Sequence, residues 1–492
     1  MPLVDAIPAG TRTIHILGIG GTAMAALAGM LVEDGFTVTG SDGARIYPPM
    51  SDVLARLGIV PMEGYQAENL AHRPDLVVVG NVVRSSYPEA AALLASDLPY
   101  LSFPALLGAA YLQHRHSIVV AGTHGKTTTT ALTAWLLESA GQNPGYLVGG
   151  VARNFTHTAR RGAGPHFVIE GDEYDTAFFD KGPKFLHYRP RTAIITSVEF
   201  DHADIYTDME HYRSAFRRLV SIVPADGALV LRWDHDEVAR LADGAAARVL
   251  RYGPGQDWDG RIEGVDHQTG RMRFAVLHEG RLFGQFESIL VGEHNLWNQV
   301  AACAALSVSG LDGAALASGF RTFEGIKRRQ EVLGEPGGVT VVDDFAHHPT
   351  AVRLTLEALR LRFGGRRLWA IFEPRSNTSR RKVFQDEYGA AFDAADQVVL
   401  APPGDLDRIA PEERFDIQAL AQAIRSRGRD AWVWGAGPEG AALAAPAVAD
   451  AIVAHLLPHV APEDVVAILS NGGFGGLHQK LLQALGSGSP PR

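Results

Sequence analysis

The chain has 492 residues, which at about 150 per domain sets a prior of three domains. Apolar residues make up 46% and charged residues 20%, a composition that fills several cores and excludes a disordered or fibrous chain. Forty-five basic against 55 acidic residues leave a net charge of −10, which disfavours nucleic acid and anionic membrane as partners and leaves anionic substrates to local basic clusters.

The first residues carry no signal-peptide pattern, and no uncharged apolar run reaches the ~18 residues of a membrane span, so a cytoplasmic protein is expected. Residues 13–18 are predicted as a strand, 21–34 as a helix, and 36–41 and 76–80 as further strands. Strands spaced by helix lengths imply a parallel, doubly wound sheet. The turn Gly18-Ile19-Gly20-Gly21-Thr22-Ala23 fits Gly-x-Gly-x-x-Ala, and Asp42 closes the next strand. Such a turn lets a diphosphate approach the backbone, and NAD and UDP satisfy it equally. Residues 111–117 break the apolar pattern and read as a linker after a first domain of residues 1–114.

A strand at 118–121 then runs into Gly122-Thr123-His124-Gly125-Lys126-Thr127-Thr128 and a helix. Backbone N–H groups of such a turn hold phosphate oxygens, Lys126 suits the β/γ-phosphates, and the Thr127 hydroxyl suits Mg²⁺. The loop is the short form, because the first Gly of the longer P-loop pattern falls on Val120. A strand at 167–170 ends in Glu170-Gly171-Asp172-Glu173-Tyr174-Asp175, and one at 193–198 ends in Glu199-Phe200-Asp201-His202-Ala203-Asp204. Carboxylates massed at strand ends need a cation between them, so two divalent sites are expected near Glu173 and His202.

A helix is predicted near 209–223, antiparallel hairpins between 261 and 290, and helices at 295–309 and 313–323. Cys303 lies in Ala-Ala-Cys-Ala-Ala, the setting of a buried inert thiol; as the only cysteine it excludes an internal disulfide and a Cys-rich metal site. The central domain is expected at 115–328 and a third at 329–492. Strands of that third domain are predicted at 339–343, 368–372, 397–400, 431–434 and 465–469, with helices between, and residues 486–492 are expected to be disordered. Basic residues gather here: Lys327, Arg328 and Arg329, then Arg366, Arg367, Arg375, Arg380, Arg381 and Lys382. Arg375 follows a strand end, where a bidentate clamp on carboxylate belongs. Asp343-Asp344-Phe345-Ala346-His347-His348 and Ser470-Asn471-Gly472-Gly473-Phe474-Gly475-Gly476 end two more strands and point to a shared crevice.

These motifs in this order resemble the Mur ligases, ATP-dependent amide-forming enzymes of peptidoglycan synthesis. Gly292-Glu293-His294-Asn295-Leu296-Trp297-Asn298 and Gly325-Ile326-Lys327-Arg328-Arg329 add to the resemblance, which spans essentially the whole chain. It implies a Rossmann-like first domain, a central P-loop ATPase domain with a parallel sheet plus a small antiparallel sheet, and a Rossmann-like third domain. It also implies ATP on Gly122–Thr128 with Asn295 and Asn298 facing the base, and Arg329 and Asp344 reaching over to phosphate and ribose. Lys126, Thr127, Glu173 and His202 would then be the residues of catalysis and metal, with two Mg²⁺ sites. The Gly18–Thr22 turn and Asp42 would hold a UDP-sugar, not NAD.

Phe-Glu-Pro-Arg-Ser-Asn-Thr, the 470–482 segment and the stretch 179–190 look closest to the branch of that family acting in cell-wall recycling. That branch joins UDP-N-acetylmuramate to the tripeptide L-alanyl-γ-D-glutamyl-meso-diaminopimelate through an acyl phosphate, releasing ADP and phosphate. The branch that adds L-alanine is the alternative, and an NAD-dependent oxidoreductase is the rival from another enzyme class. Arg375, Ser376, Asn471, Gly472 and Gly473 are assigned to the peptide, and His347 or His348 to the proton leaving its amine. Several Mur ligases carry a carbamylated lysine near the metal; counting on from His202 lands on Phe216, so none is expected here. Small-molecule substrates, no nucleic acid, no membrane, and a monomer or weak homo-oligomer complete the expectation.

Overall fold

A computed structural model describes residues 3–47, 50–203, 205–404, 406–407, 409–434 and 445–486. The first sheet is all parallel, in the order Met62–Glu63, Thr37–Asp42, Thr13–Leu17, Leu76–Val79, Tyr100–Ser102. Its order reverses at Thr13–Leu17, so a crevice opens where that strand passes through Gly18 (φ +84°) into the helix Thr22–Glu33. Ile14 and Ile16 pack under this helix, while Leu17 faces the second layer with Val77 and Val79.

The central sheet has ten strands, with His116–Ala121 between Thr192–Ile195 and His166–Glu170, all parallel to it. Ala228–Arg232 and Arg248–Tyr252 continue the parallel part. The expected small antiparallel sheet is not separate. Tyr252 pairs with Trp258, and the strands Trp258–Asp266, Arg271–His278 and Arg281–Ser288 carry the same ladder onward. The helix Glu293–Ser307 lies buried along most of its length, with Cys303 fully enclosed and its thiol pushed above the ordinary range by burial.

Two boundaries differ from the sequence expectation. Tyr111 and Leu112 belong to a buried π-helical turn, Gly108–Leu112, and the Tyr111 hydroxyl donates to Asp34 Oδ2 at 2.8 Å. The break after the first domain is therefore shorter than 111–117, and His116 already opens the next strand. The strand expected at 193–198 stops at Ile195, because Thr196 and Ser197 turn their polar groups to the P-loop.

The third sheet runs Glu331–Gly334, Thr340–Asp344, Val465–Leu469, Leu368–Phe372, Gln397–Leu400, Asp430–Val433; the first pair is antiparallel and the rest parallel. One apolar layer covers each face. Residues 487–492, most of the tail expected to be disordered, lie outside the described residues.

Candidate active site

Four parallel neighbours of the central sheet end at one edge, and His116–Ala121 feeds the P-loop there. Gly122 (φ +130°) and Gly125 (φ +80°) take left-handed conformations, and a Cβ on Gly122 would stand 2.2 Å from Thr196 Oγ1. The Thr123 N–H donates to Ser197 O (3.0 Å) and the His124 N–H to Ser197 Oγ (2.9 Å), so the adjacent strand end sets the loop's shape. The helix Lys126–Ser139 starts immediately after, and the N–H groups of its first turn lack intrahelical partners by construction.

Lys126 Nζ donates to Gly122 O (2.6 Å) and to Glu173 Oε1 (2.9 Å). Burial opposes the lysine charge, but Glu173 outweighs it and holds the ammonium above its ordinary pKa. The same Glu173 oxygen accepts from His202 Nε2 (2.9 Å) and from the Tyr212 hydroxyl (3.2 Å). Burial would raise the Glu173 carboxyl; Lys126 and His202 more than reverse that, and it lies below the usual range. Its other oxygen, Oε2, is buried and has no hydrogen-bond partner among the described residues. An anionic oxygen in that state marks a place for a cation.

His202 sits at φ +56°, uncommon for a residue with a Cβ, with its N–H on Asp201 Oδ1 (2.7 Å). That backbone aims the imidazole at Glu173, and Glu173 raises its pKa against the opposing effect of burial. Thr127 Oγ1 donates to Glu170 Oε1 (3.0 Å), an acid outside the expected ligand set, whose pKa burial raises. Phe216, where no carbamylated lysine is expected, is fully buried against Phe185 and Tyr212. Asp204 lies outside the described residues.

The third domain closes over this edge. The Thr350 hydroxyl donates to Glu199 Oε2 and the Thr378 hydroxyl to Asp201 Oδ1, both at 2.8 Å. Arg329 lies over the Phe345 ring at 5.0 Å, and its charge acts on Glu170 as well as on Asp344. Asp344, expected to reach the nucleotide, is buried. Its oxygens accept from the Gln330 and Ala346 N–H groups, each at 2.8 Å, and from Thr355. Asn295 and Asn298 are buried too: Asn298 Nδ2 donates to Asn295 Oδ1 (3.3 Å), and a Cβ on Gly125 would meet Asn298 Oδ1 at 2.6 Å. Asn298 therefore presses on the P-loop backbone. His347 Nδ1 donates to Phe345 O (3.1 Å), which leaves its Nε2 as the acceptor. Burial lowers the pKa of both His347 and His348, the latter to about 3.

The three polar strand ends of the third sheet do share an edge, because Thr340–Asp344, Val465–Leu469 and Leu368–Phe372 are neighbours. Arg375 lies across Gly472 so closely that a Cβ there would stand 2.5 Å from its Nη1, and it is half-exposed, 3.9 Å from Glu373. The Ser376 hydroxyl is turned to Ser379, and Asn471 Oδ1 is buried without a hydrogen-bond partner among the described residues. Part of the basic cluster is structural. Arg366 and Arg367 hold the 463–464 turn and Arg381 pairs with Glu413, whereas Arg328 grips the Gly472 carbonyl.

At the first domain's turn, the Gly20 N–H donates to Asp42 Oδ2 (2.9 Å) and the Gly43 N–H to Asp42 Oδ1 (2.8 Å). Asp42 thus braces the turn across its mouth, and Gly21 opens the following helix with Thr22. Residues that sequence reasoning passed over are Ser197, Thr196, Tyr212 and Thr378. Each is an ordinary polar side chain with no assigned role, brought in by the neighbouring strand, a helix face or the third domain; Thr378 alone closes a quoted motif, Phe-Glu-Pro-Arg-Ser-Asn-Thr.

A doubly wound domain, a P-loop domain with acidic strand ends and a third α/β domain closed over them define an ATP-using ligase architecture. Residues 13–115 match the Mur ligase family catalytic domain, 120–306 the Mur ligase middle domain, and 328–472 the Mur ligase glutamate ligase domain. The chain belongs to the Mur ligase family. It is 39% identical over 476 residues to the UDP-N-acetylmuramate–L-alanyl-γ-D-glutamyl-meso-2,6-diaminoheptandioate ligase of Escherichia coli K12, covering 96% of this chain and 98% of that one. A UDP-N-acetylmuramate–L-alanine ligase of Halorhodospira halophila is 35% identical over 97% of this chain and 94% of its own. Among solved structures, a murein peptide ligase from Psychrobacter arcticus aligns at TM-score 0.67 and 35% identity over 98% of this chain and all of that one.

Proposed function

We propose that the protein joins UDP-N-acetylmuramate to the tripeptide L-alanyl-γ-D-glutamyl-meso-diaminopimelate, releasing ADP and phosphate. The observation that carries this reading is likeness along essentially the whole length to a ligase named for that tripeptide. The geometry supports it where substrate choice would be made, since Arg375 and the Gly472–Gly473 turn lie together at the third sheet's edge. In this reading residues 1–114 hold the UDP-sugar on Gly18, Gly20, Gly21 and Thr22, residues 115–328 hold ATP, and residues 329–492 hold the peptide. With ATP and a UDP-linked sugar as substrates, it would work in the cytoplasm, as a monomer or weak homo-oligomer.

Thr127, Glu173 and His202 would hold magnesium, at two sites, and the buried unpartnered Glu173 oxygen fits that role. When bound, magnesium neutralises charge on the phosphoryl group in transfer. Lys126 supplies a fixed ammonium at the loop mouth, held charged by Glu173, so no reorganisation is needed as charge builds. The muramate carboxylate attacks the γ-phosphorus and ADP leaves; the peptide amine then attacks the acyl phosphate carbon and phosphate leaves. An α-amino group titrates near ~8, so much of it is already neutral at working pH. His347, with Nε2 as acceptor, suits the departing proton better than His348, whose Nδ1 already accepts the Thr350 N–H (3.3 Å).

The test is to supply ATP, magnesium and UDP-N-acetylmuramate with L-alanine, tripeptide or tetrapeptide in separate reactions and read ADP release. The tripeptide should turn over at least ten-fold faster than L-alanine. Preference for L-alanine would move the chain to the other branch, and NADH formation from added NAD⁺, without ADP release, would overturn the ligase reading.

A further inference from the structure

His15 in the strand Thr13–Leu17 and Glu89 in the helix Pro88–Ala95 are both fully buried, on the sheet face that carries Leu17, Val77 and Val79. His15 Nε2 donates to Glu89 Oε1 and its Nδ1 meets Thr39 Oγ1, each at 2.8 Å. A buried pair of this kind is weak ground for stability, and its use lies in fixing what it touches.

It touches the turn at Gly64 and Tyr65. Asn69 Nδ2 donates to Glu89 Oε2 and to Gly64 O, both at 2.9 Å, and the Glu89 N–H donates to Tyr65 O at 3.1 Å. The Gly64 N–H donates to Asp42 O (2.7 Å), so the turn is tied to the residue whose carboxylate braces Gly20. Tyr65 then bridges Gly43 and Gly18, with the Tyr87 ring stacked on it at 4.9 Å and 11°. A Cβ on Gly43 would stand 2.9 Å from the Tyr65 ring, and one on Gly18 3.7 Å from its hydroxyl. Gly18 lies where the sheet order reverses and the crevice opens. Burial and the nearby Asp42 carboxylate push the phenol up to about 12, so the hydroxyl keeps its hydrogen and can donate. A fixed donor beside a turn of backbone N–H groups suits the oxygens of a nucleoside diphosphate.

Resting on the reading of this crevice as the UDP-sugar site, we propose that Tyr65 donates its hydroxyl to the uridine diphosphate part of the substrate. Glu89, with His15, is the pair that positions it. Neither belongs to the glycine-rich turn, and Glu89 reaches the ligand only through Tyr65.

The full-length protein is titrated with UDP by calorimetry, with ATP binding as the check on the fold. Tyr65→Phe should weaken UDP binding about five-fold or more and leave ATP binding unchanged. Glu89→Gln should weaken UDP binding too, but add less than about two-fold in the Tyr65→Phe background, because both act through one hydroxyl. Asn69→Ala, at a half-buried position, repeats the positioning test where Glu89→Gln fails to fold. Wild-type binding of UDP that Tyr65→Phe leaves unchanged overturns this proposal alone. Effects of Glu89→Gln or Asn69→Ala that multiply with that of Tyr65→Phe overturn the positioning role. A wild-type protein that does not bind UDP overturns the reading of the crevice, and this proposal with it.

Discussion

At the scale of single residues, the site is a set of buried charges that depend on one another. Glu173 is 1% exposed and its carboxyl is held below the usual range by Lys126 and His202, while it raises the pKa of both. Removing one partner leaves a buried charge uncompensated, which costs several kcal/mol where geometry cannot relax. His348 is a separate case, a histidine held neutral. Its folded pKa of about 3 lies below the unfolded value of 6.5, so the unfolded chain takes up its proton first as pH falls. Stability from this group is present above pH ~6.5 and erodes below it, by at most about 1.4 kcal/mol per pH unit. The melting temperature of the wild-type protein should therefore fall more steeply between pH 6.5 and 4.5 than that of His348→Asn. Equal slopes in thermal denaturation would show that His348 accepts a proton in the folded state.

At the scale of elements, strand ends and turns decide which motifs meet. Lys126 and Thr127 are carried by a helix whose entry needs left-handed backbone at Gly122 and Gly125, and the sequence marks both with glycine. Glu170 and Glu173 follow the strand on one side of His116–Ala121 and Glu199 follows the strand on its other side, so their convergence on the P-loop follows from strand order. The same logic puts Arg375 over Gly472. Arg375→Ala should raise the KM for the tripeptide about ten-fold or more, a loss near 1.4 kcal/mol or above, with the KM for ATP nearly unchanged. Gly472→Ala should produce the same pattern, because a Cβ there would push the Arg375 guanidinium out of its place. Equal rises in both KM values would remove Arg375 from the peptide site.

At the scale of the whole molecule, the three units are not equally independent. One apolar cluster runs from Ile14 and Leu27 of the first domain to Phe216 and Leu229 of the central domain, so these two share a core. The third domain has its own layers on both faces of its sheet and meets the central edge through polar contacts. The chain between them holds Gly325 (φ +81°), Arg328 (φ +62°) and Gln330 (φ +49°), three left-handed residues within six positions and the natural place for a hinge. A hydrogen bond to a charged group contributes about 1.5–3 kcal/mol, so losing two shifts closure substantially. The double variant Thr350→Val, Thr378→Val should lower kcat roughly ten-fold and enlarge the radius of gyration in solution scattering, leaving UDP-sugar binding intact. An unchanged radius with lost activity would place both threonines in chemistry, not closure.

The sequence by itself determined the three α/β units, the glycine-rich turns, the acids at strand ends and the family, because each is a local pattern of glycine, hydrophobic period and charge. It also placed the strands Leu368–Phe372, Gln397–Leu400 and Val465–Leu469 within their observed bounds. Only the tertiary structure decided the partners. Thr127 bonds Glu170, Asp344 accepts the Gln330 N–H, Arg366 and Arg367 brace a turn, and His124, Glu199 and His348 meet. The −10 charge belongs to the first kind of knowledge and says least about ligands. Charge acts over a few ångströms in a buried site, and which charges lie that close is fixed by strand order and domain closure.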